Sequence, residues 1–178
     1  EDDDSCNLSC PSCRNSIRAL NIPESNSKLE VQIKLLDSLG GKLKELWLCG
    51  AGDPFAAKSY RDLLKNYDFS KYPNLKFRLD TNGQLLNENT WNTTLKNVQE
   101  KIKLIAISID AATDETYEIV RRGGKFKNVV NNLEFASKLP QRKKGMGLII
   151  RMIVQQRNFR EMKKFVEKFR KKEKSELM

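Results

Sequence analysis

The stretch LIAISID, residues 104–110, constrains the fold of this chain more than any other. A continuous apolar run of this kind is the signature of a parallel strand covered on both faces. Three more runs share its character. ELWLCG, 45–50, is a short apolar segment ending in glycine and reads as a buried strand. KFRLDTNG, 76–83, reads as a strand entering a turn, and GLIIRMIVQQ, 147–156, as a fourth strand. Helical patterns fill the intervals. Leu29, Ile33, Leu36 and Leu39 are spaced for a helix over 28–39, which Gly40-Gly41 stops. Further helices are expected over 58–67, 84–97, 114–120, 126–138 and 159–173, the last with Asn158 as N-cap. Four strands alternating with helices imply an α/β fold of parallel βα units with right-handed crossovers. Chemistry in such sheets collects at the carboxyl ends of the strands.

The residues at those ends agree. The first strand runs into Gly50-Ala51-Gly52-Asp53-Pro54, the second into Thr81-Asn82-Gly83. The third carries Ser108 and Asp110, and the fourth runs into Gln155, Gln156 and Asn158. In front of them stands SCNLSCPSC, residues 5–13, with Cys6, Cys10 and Cys13 spaced C-x3-C-x2-C. Such a cluster can hold a disulfide with one thiol left over, a zinc ion or an iron–sulfur group. The chain has 178 residues, enough for one domain with a real core, and only one further cysteine, Cys49. A lysine-rich chain with four cysteines does not resemble a secreted disulfide scaffold. The absence of histidine excludes Ser-His-Asp triads, histidine bases and histidine-ligated zinc catalysis. No apolar run is long enough to cross a membrane, and the opening EDDD shows no signal-peptide pattern. A cytoplasmic protein is therefore expected. From Pro140 to Met178 there are 13 Lys and Arg against 4 Glu, nearly all of the net charge of +10. That segment is either a solvated helical face or a surface for nucleic acid or another acidic partner.

Taken in order, C-x3-C-x2-C, G-x-G-D-P, T-N-G and SIDAATDETYEIVRRGGKF (108–126) resemble the radical S-adenosylmethionine (SAM) enzymes, from Cys6 to about Phe169. The last stretch is most like the subgroup that carries a SPASM or twitch extension. The resemblance implies an incomplete parallel (βα) barrel, a partial TIM barrel of about four to five βα units. It implies a [4Fe–4S] cluster with Cys6, Cys10 and Cys13 as ligands to three irons, and SAM on the fourth. Reductive cleavage of SAM, fed by an external one-electron reductant, then gives methionine and a 5′-deoxyadenosyl radical that abstracts hydrogen from substrate. By the same resemblance Gly50, Gly52 and Asp53 would meet the SAM amino group, with Asp53 standing where relatives carry Glu. Ser108 and Asp110 would face the ribose hydroxyls. Arg121, with Arg122 as the alternative, would pair with the SAM carboxylate, a task suited to a guanidinium fork. Asn82 and Gln155 are further cleft residues.

Blander readings stand beside these. Cys49 could complete a four-thiolate zinc site, or be a small buried hydrophobe. Trp47 and Trp91 are core or edge packing residues. The family pattern places a strand before the cysteine loop and a sixth after the last helix. Only EDDDS precedes Cys6 and the chain closes on KKEKSELM, so residues 1–178 are expected to be one radical SAM core trimmed at both ends. With no cysteine after Cys49, this stretch cannot build an auxiliary cluster. Relatives suggest a peptide or protein substrate. The competing classes are a non-enzymatic zinc or iron–sulfur module with a nucleic-acid-binding helix, and a degenerate core that no longer cleaves SAM.

Overall fold

A computed structural model describes residues 3–48 and 51–174, the side chains of 171–174 excepted. Four strands form one sheet in the order β1-β2-β3-β4, every neighbouring pair parallel. They are β1 (Glu45–Leu48), β2 (Lys76–Thr81), β3 (Ile102–Ser108) and β4 (Gly147–Arg151). Helices alternate with them: α1 (Ile22–Ser38), α2 (Lys58–Asn66), α3 (Glu88–Thr93), α4 (Asp114–Val120), α5 (Phe126–Ser137), α6 (Pro140–Lys143) and α7 (Met162–Lys174). Sequential strands lying side by side, each reached through a helical connection, make an open stretch of parallel barrel wall. No described helix is long and apolar enough to cross a membrane.

Several boundaries differ from the sequence reading, each for a local reason. Helix α1 begins at Ile22, because Asn21 and Glu24 form a capping box: the Asn21 side chain accepts from Glu24 N at 2.9 Å and Glu24 returns the bond to Asn21 N at 3.1 Å. The helix expected over 84–97 is only Glu88–Thr93, started by the Asn87 side chain on Thr90 N. The short α6, opened by Pro140, was not anticipated. Strand β4 ends at Arg151, since the Ile153 amide leaves the sheet to donate to Asp110 at 2.8 Å. Asn158 is not a side-chain cap. Its Oδ1 accepts from Gln155 N and its Nδ2 donates to the carbonyls of Asp110 and Ile153, so it ties two loops together. A single 3₁₀ turn, Phe159–Glu161, precedes α7.

Nor is every strand buried on both faces. Ile105 and Ile107 are fully buried on the helix-covered side of β3. Leu104 and Ser108, on the other side, are half-exposed. Gly83 shows how tightly the covered side packs: with φ +76°, a Cβ there would lie 2.7 Å from Ile107 Cγ2 and 2.8 Å from Val129 Cγ2. Strand β1 has one described neighbour, and Trp47 is 53% exposed. Trp91, by contrast, is core. Cys49 lies outside the described residues. Helix α7 buries Phe165 and Phe169, turns Lys163, Lys164 and Arg170 outward, and lays Lys168 over the Phe126 ring with its ammonium on the Ala112 carbonyl at 2.9 Å.

Glu161 joins that last helix to α4. Its carboxylate accepts from Ala112 N at 2.6 Å, Thr113 Oγ1 at 2.5 Å and Thr116 Oγ1 at 2.8 Å. Partial burial works against the charge, but the Thr113, Ala112 and Thr116 donors win and hold the carboxyl below the usual glutamate range. A depressed folded pKa means stability that is present above the unfolded value, about 4.3, and lost as pH falls through the folded one. Glu161→Gln is therefore expected to cost about 1–2 kcal/mol at neutral pH. The gap from wild type should close in acid below about pH 4, read from urea midpoints across a pH series.

Candidate functional site

The carboxyl ends of the strands open into a cleft of about 230 Å³. Its wall includes Cys6, Cys10 and Cys13 from the amino-terminal loop, Gly52 and Asp53 after β1, and Thr81 and Asn82 after β2. Ser108, Arg121 and Arg151 close the other side.

The cysteine loop is held in place from three directions. Cys6 pairs with Arg18 in an isolated antiparallel bridge, its amide donating to the Arg18 carbonyl at 2.8 Å. The Cys10 carbonyl accepts from the amides of Cys13 and Arg14, each at 2.9 Å, which curls the chain so that Cys10 and Cys13 face the same cleft. Arg122 straps the loop from outside, its Nε donating to Ser9 Oγ at 3.1 Å and its Nη2 to the Asn15 carbonyl at 2.9 Å. That task takes Arg122 out of the cleft. Gly52 sits beneath the start of the loop. A Cβ there would meet Ser5 O at 2.6 Å and Asp3 O at 2.8 Å, so only glycine permits this approach.

Asp53, 1% exposed, fixes the next segment. Its Oδ1 accepts from Phe55 N at 3.0 Å, and its Oδ2 from Thr81 Oγ1 and Asn82 N at 2.8 Å each. Burial pushes this carboxyl up against the pull of those donors. Asp53 borders the cleft, yet its oxygens are committed to the protein. Asp110 is also buried and is not part of the cleft wall. It adopts φ +62°, accepts from Ile153 N and pairs with Arg121 at 2.7 Å. Burial pushes its carboxyl up, with the Arg121 charge and the Ile153 amide opposing. Of the pair expected to face the ribose hydroxyls, Ser108 lines the cleft and Asp110 does not. Gln155 lies on the loop after β4, away from the cleft wall, and Gly50 is outside the described residues. Sequence reasoning missed Arg14, Asp80 and Arg151, all on that wall, and gave Thr81 no role beyond the strand-end T-N-G. A charge inside the apolar GLIIRMIVQQ run was the available signal for Arg151.

Each sulfur has a polarised N–H nearby. Asn82 Nδ2 lies 3.8 Å from Cys6 Sγ, Arg121 Nη1 3.8 Å from Cys10 Sγ and Arg14 Nη2 3.9 Å from Cys13 Sγ. The Leu8 amide also reaches Cys6 Sγ at 3.5 Å. Burial pushes the Cys6 thiol up while the Leu8 amide pulls it down.

The radical SAM superfamily model matches residues 4–172. The chain belongs to the radical SAM superfamily. Membership implies a [4Fe–4S] cluster and SAM. No curated protein matches the sequence. Among solved structures, Streptococcus suis SuiB bound to S-adenosylmethionine is similar at TM-score 0.60 and 15% identity, over 95% of this chain and 35% of that one. SuiB bound to the precursor peptide SuiA gives TM-score 0.61 and 13% identity, over 97% and 36%. TYW1 with a lysine-pyruvate adduct bound gives 0.52 and 19%, over 94% and 58%. At these identities the likeness is one of fold. The radical SAM chain spans about a third of SuiB's length.

The donor set fits such a cluster. Three free thiols border one cleft, and N–H groups near sulfur are what stabilises thiolate charge there. Among the described residues no three His, Cys, Asp or Glu side chains are arranged to hold a single metal ion. In Gly52→Ala the methyl group would collide with backbone atoms that cannot swing aside. We expect a loss of about 1–3 kcal/mol in stability and displacement of the cysteine loop. Mass-spectrometric alkylation should then find Cys10, buried in the parent, labelled as fast as the exposed Cys13.

Proposed function

We propose that this chain is the catalytic core of a radical SAM enzyme acting on a peptide or protein. The observation that carries the reading is the convergence of three free thiols, the Gly52 backbone, Ser108 and Arg121 on one cleft at the strand ends. When bound, the cluster and SAM, fed by an external one-electron reductant, supply methionine and a 5′-deoxyadenosyl radical that takes hydrogen from substrate. The protein's part is to bind, orient and exclude water. Cys6, Cys10 and Cys13 would hold three irons and leave one open. The backbone at Gly52, made accessible by the missing side chain, receives the amino group of SAM. Asp53 acts one step back, holding that loop against Asn82. Ser108 meets the ribose hydroxyls. Arg121 takes the SAM carboxylate while Asp110 fixes the guanidinium from behind, an arrangement in which a buried carboxylate makes the fork rigid.

The peptide substrate is supported by the motif likeness at 108–126 and by the fold shared with SuiB, which is described bound to a precursor peptide. Nucleic acid is the second choice, resting on the outward lysines of α7.

Anaerobic reconstitution with iron and sulfide, then EPR of the dithionite-reduced protein with and without SAM, tests the core. A [4Fe–4S]+ signal perturbed by SAM, with 5′-deoxyadenosine released and both lost in Cys10→Ala, is the expected result. Zinc retained in place of iron, with no response to SAM, would overturn it. A SAM-responsive signal without 5′-deoxyadenosine would mark a core that binds but does not cleave.

A further inference from the structure

The concave face of the sheet carries charges that the reading above leaves without a task. Trp47 pairs in register with Arg78, Asp80 with Ala106, and Ser108 with Arg151. Alternate residues of a strand share a side, so Arg78 and Trp47 lie on the same face as Asp80, Ser108 and Arg151, which border the cleft. Arg78 stands one side-chain repeat below Asp80, roughly 7 Å along the strand.

Two cations on this face are matched. Lys103 meets Glu45 at 2.5 Å, and Arg151 meets Asp80 at 2.6 Å. Glu45 also accepts from Trp47 Nε1 at 3.3 Å, so both its oxygens are engaged. Lys76 lies at the far end of the strand, near a Glu100 that Lys144 already pairs at 2.8 Å. Of the two described cations without an ion pair on this face, Arg78 is the nearer to the cleft. Its guanidinium lies over the Trp47 ring at 3.8 Å, it makes no hydrogen bond or ion pair with a described residue, and its Nε is buried without a partner. Stacking holds the fork in one plane and one place, so little freedom is lost when an anion docks. Trp47 offers an open apolar flank to whatever stem carries that anion.

We propose that Arg78, stacked on Trp47, binds a carboxylate of the substrate, the acidic side chain of a peptide Asp or Glu. Arg78 itself carries one positive charge, which matches a carboxylate and falls short of a phosphate, with its nearly two negative charges. A planar guanidinium also takes a carboxylate through two parallel bonds. Held there, the acidic residue lies beneath the cleft, and the neighbouring peptide can extend toward Ser108 and Arg151. The inference rests on the peptide reading of the proposed function and names the chemistry its substrate must present.

The test is saturation-transfer NMR on the full, reconstituted chain with acetyl-Gly-Glu-Gly-amide and its Gln counterpart, with and without SAM. The Glu peptide should bind about tenfold more tightly than the Gln peptide, as expected for charge-assisted bonds. Arg78→Gln should abolish the preference, and Arg78→Lys should keep part of it. Inorganic phosphate should compete no better than chloride at equal ionic strength. Equal binding of the two peptides, or a preference that survives Arg78→Gln, overturns the proposal; strong competition by phosphate overturns the carboxylate assignment. Should Arg78→Gln fail to fold by circular dichroism, an undiminished preference in Arg78→Lys overturns it instead. Loss of the SAM response with the Glu preference intact would count against the radical SAM reading alone.

Discussion

The cleft depends on one buried carboxylate. Asp53 gathers three pieces of chain that have no other reason to meet. Its backbone amide donates to Ser5 O at 2.9 Å at the root of the cysteine loop, and its side chain accepts from Phe55 in its own loop and from Thr81 and Asn82 at the end of β2. A carboxylate removed from water is tolerated only when its lone pairs are answered. Here the answering donors are the groups that must be positioned. Asn82, once fixed by its amide, turns its side chain to Asn7 at 2.9 Å and to the Cys6 sulfur. The geometry of one thiol is thus set through Asn82 by a residue buried beneath the cleft. Asp53 reaches inward to the protein, its oxygens on Phe55, Thr81 and Asn82.

A second knot secures the opposite wall. Asp110 takes a left-handed backbone, uncommon for a residue with a side chain, and both its backbone and carboxylate are used. The carboxylate holds Arg121 and the Ile153 amide, and the carbonyl accepts from Asn158 Nδ2 at 2.8 Å. Arg121 is thereby aimed at Cys10 from a distance of 111 residues in sequence. The two knots act on different sulfurs, so the cysteine loop, which has almost no regular structure of its own, is shaped by contacts from β2 and from the turn after α4.

Much of this was legible in the sequence, and the reasons for success and failure are physical. The strands were readable because a parallel sheet concentrates Ile, Leu and Val in short runs, as in 104–109. The cysteines and Gly52 could be picked out because their spacing follows no helix or strand period, and the fold brings them to one cleft. Asp110 could be singled out, but its partners, Arg121 and the Ile153 amide, could not. Nothing in a linear sequence says whether an acid at a strand end looks into a cleft or back into the protein; the left-handed turn decides that, and it is a tertiary fact. Asn158 fails for the same reason, since a side chain that can cap a helix can equally bridge two loops. The half-open side of β3 was hidden because Leu104 and Ala106 on it are as apolar as Ile105 and Ile107 on the covered side.

That half-open face bears on what the cleft can accept. A sheet whose far side is sealed by Ile105, Ile107 and the helices presents its near side as a fixed surface, rigid in the way packed interiors are. Charges planted on it cannot move far to accommodate a guest. Arg151 and Asp80 neutralise one another at the cleft's lower margin, and Glu45 and Lys103 do so at the opposite end of the sheet. Between them Arg78 is steadied by an aromatic ring instead of an acid, which keeps its position without cancelling its charge. A surface built only to be soluble would gain by pairing that cation as well. Leaving it stacked and unpaired, on the same face as the groups that border the cleft, is the arrangement expected where the missing negative charge arrives with the substrate.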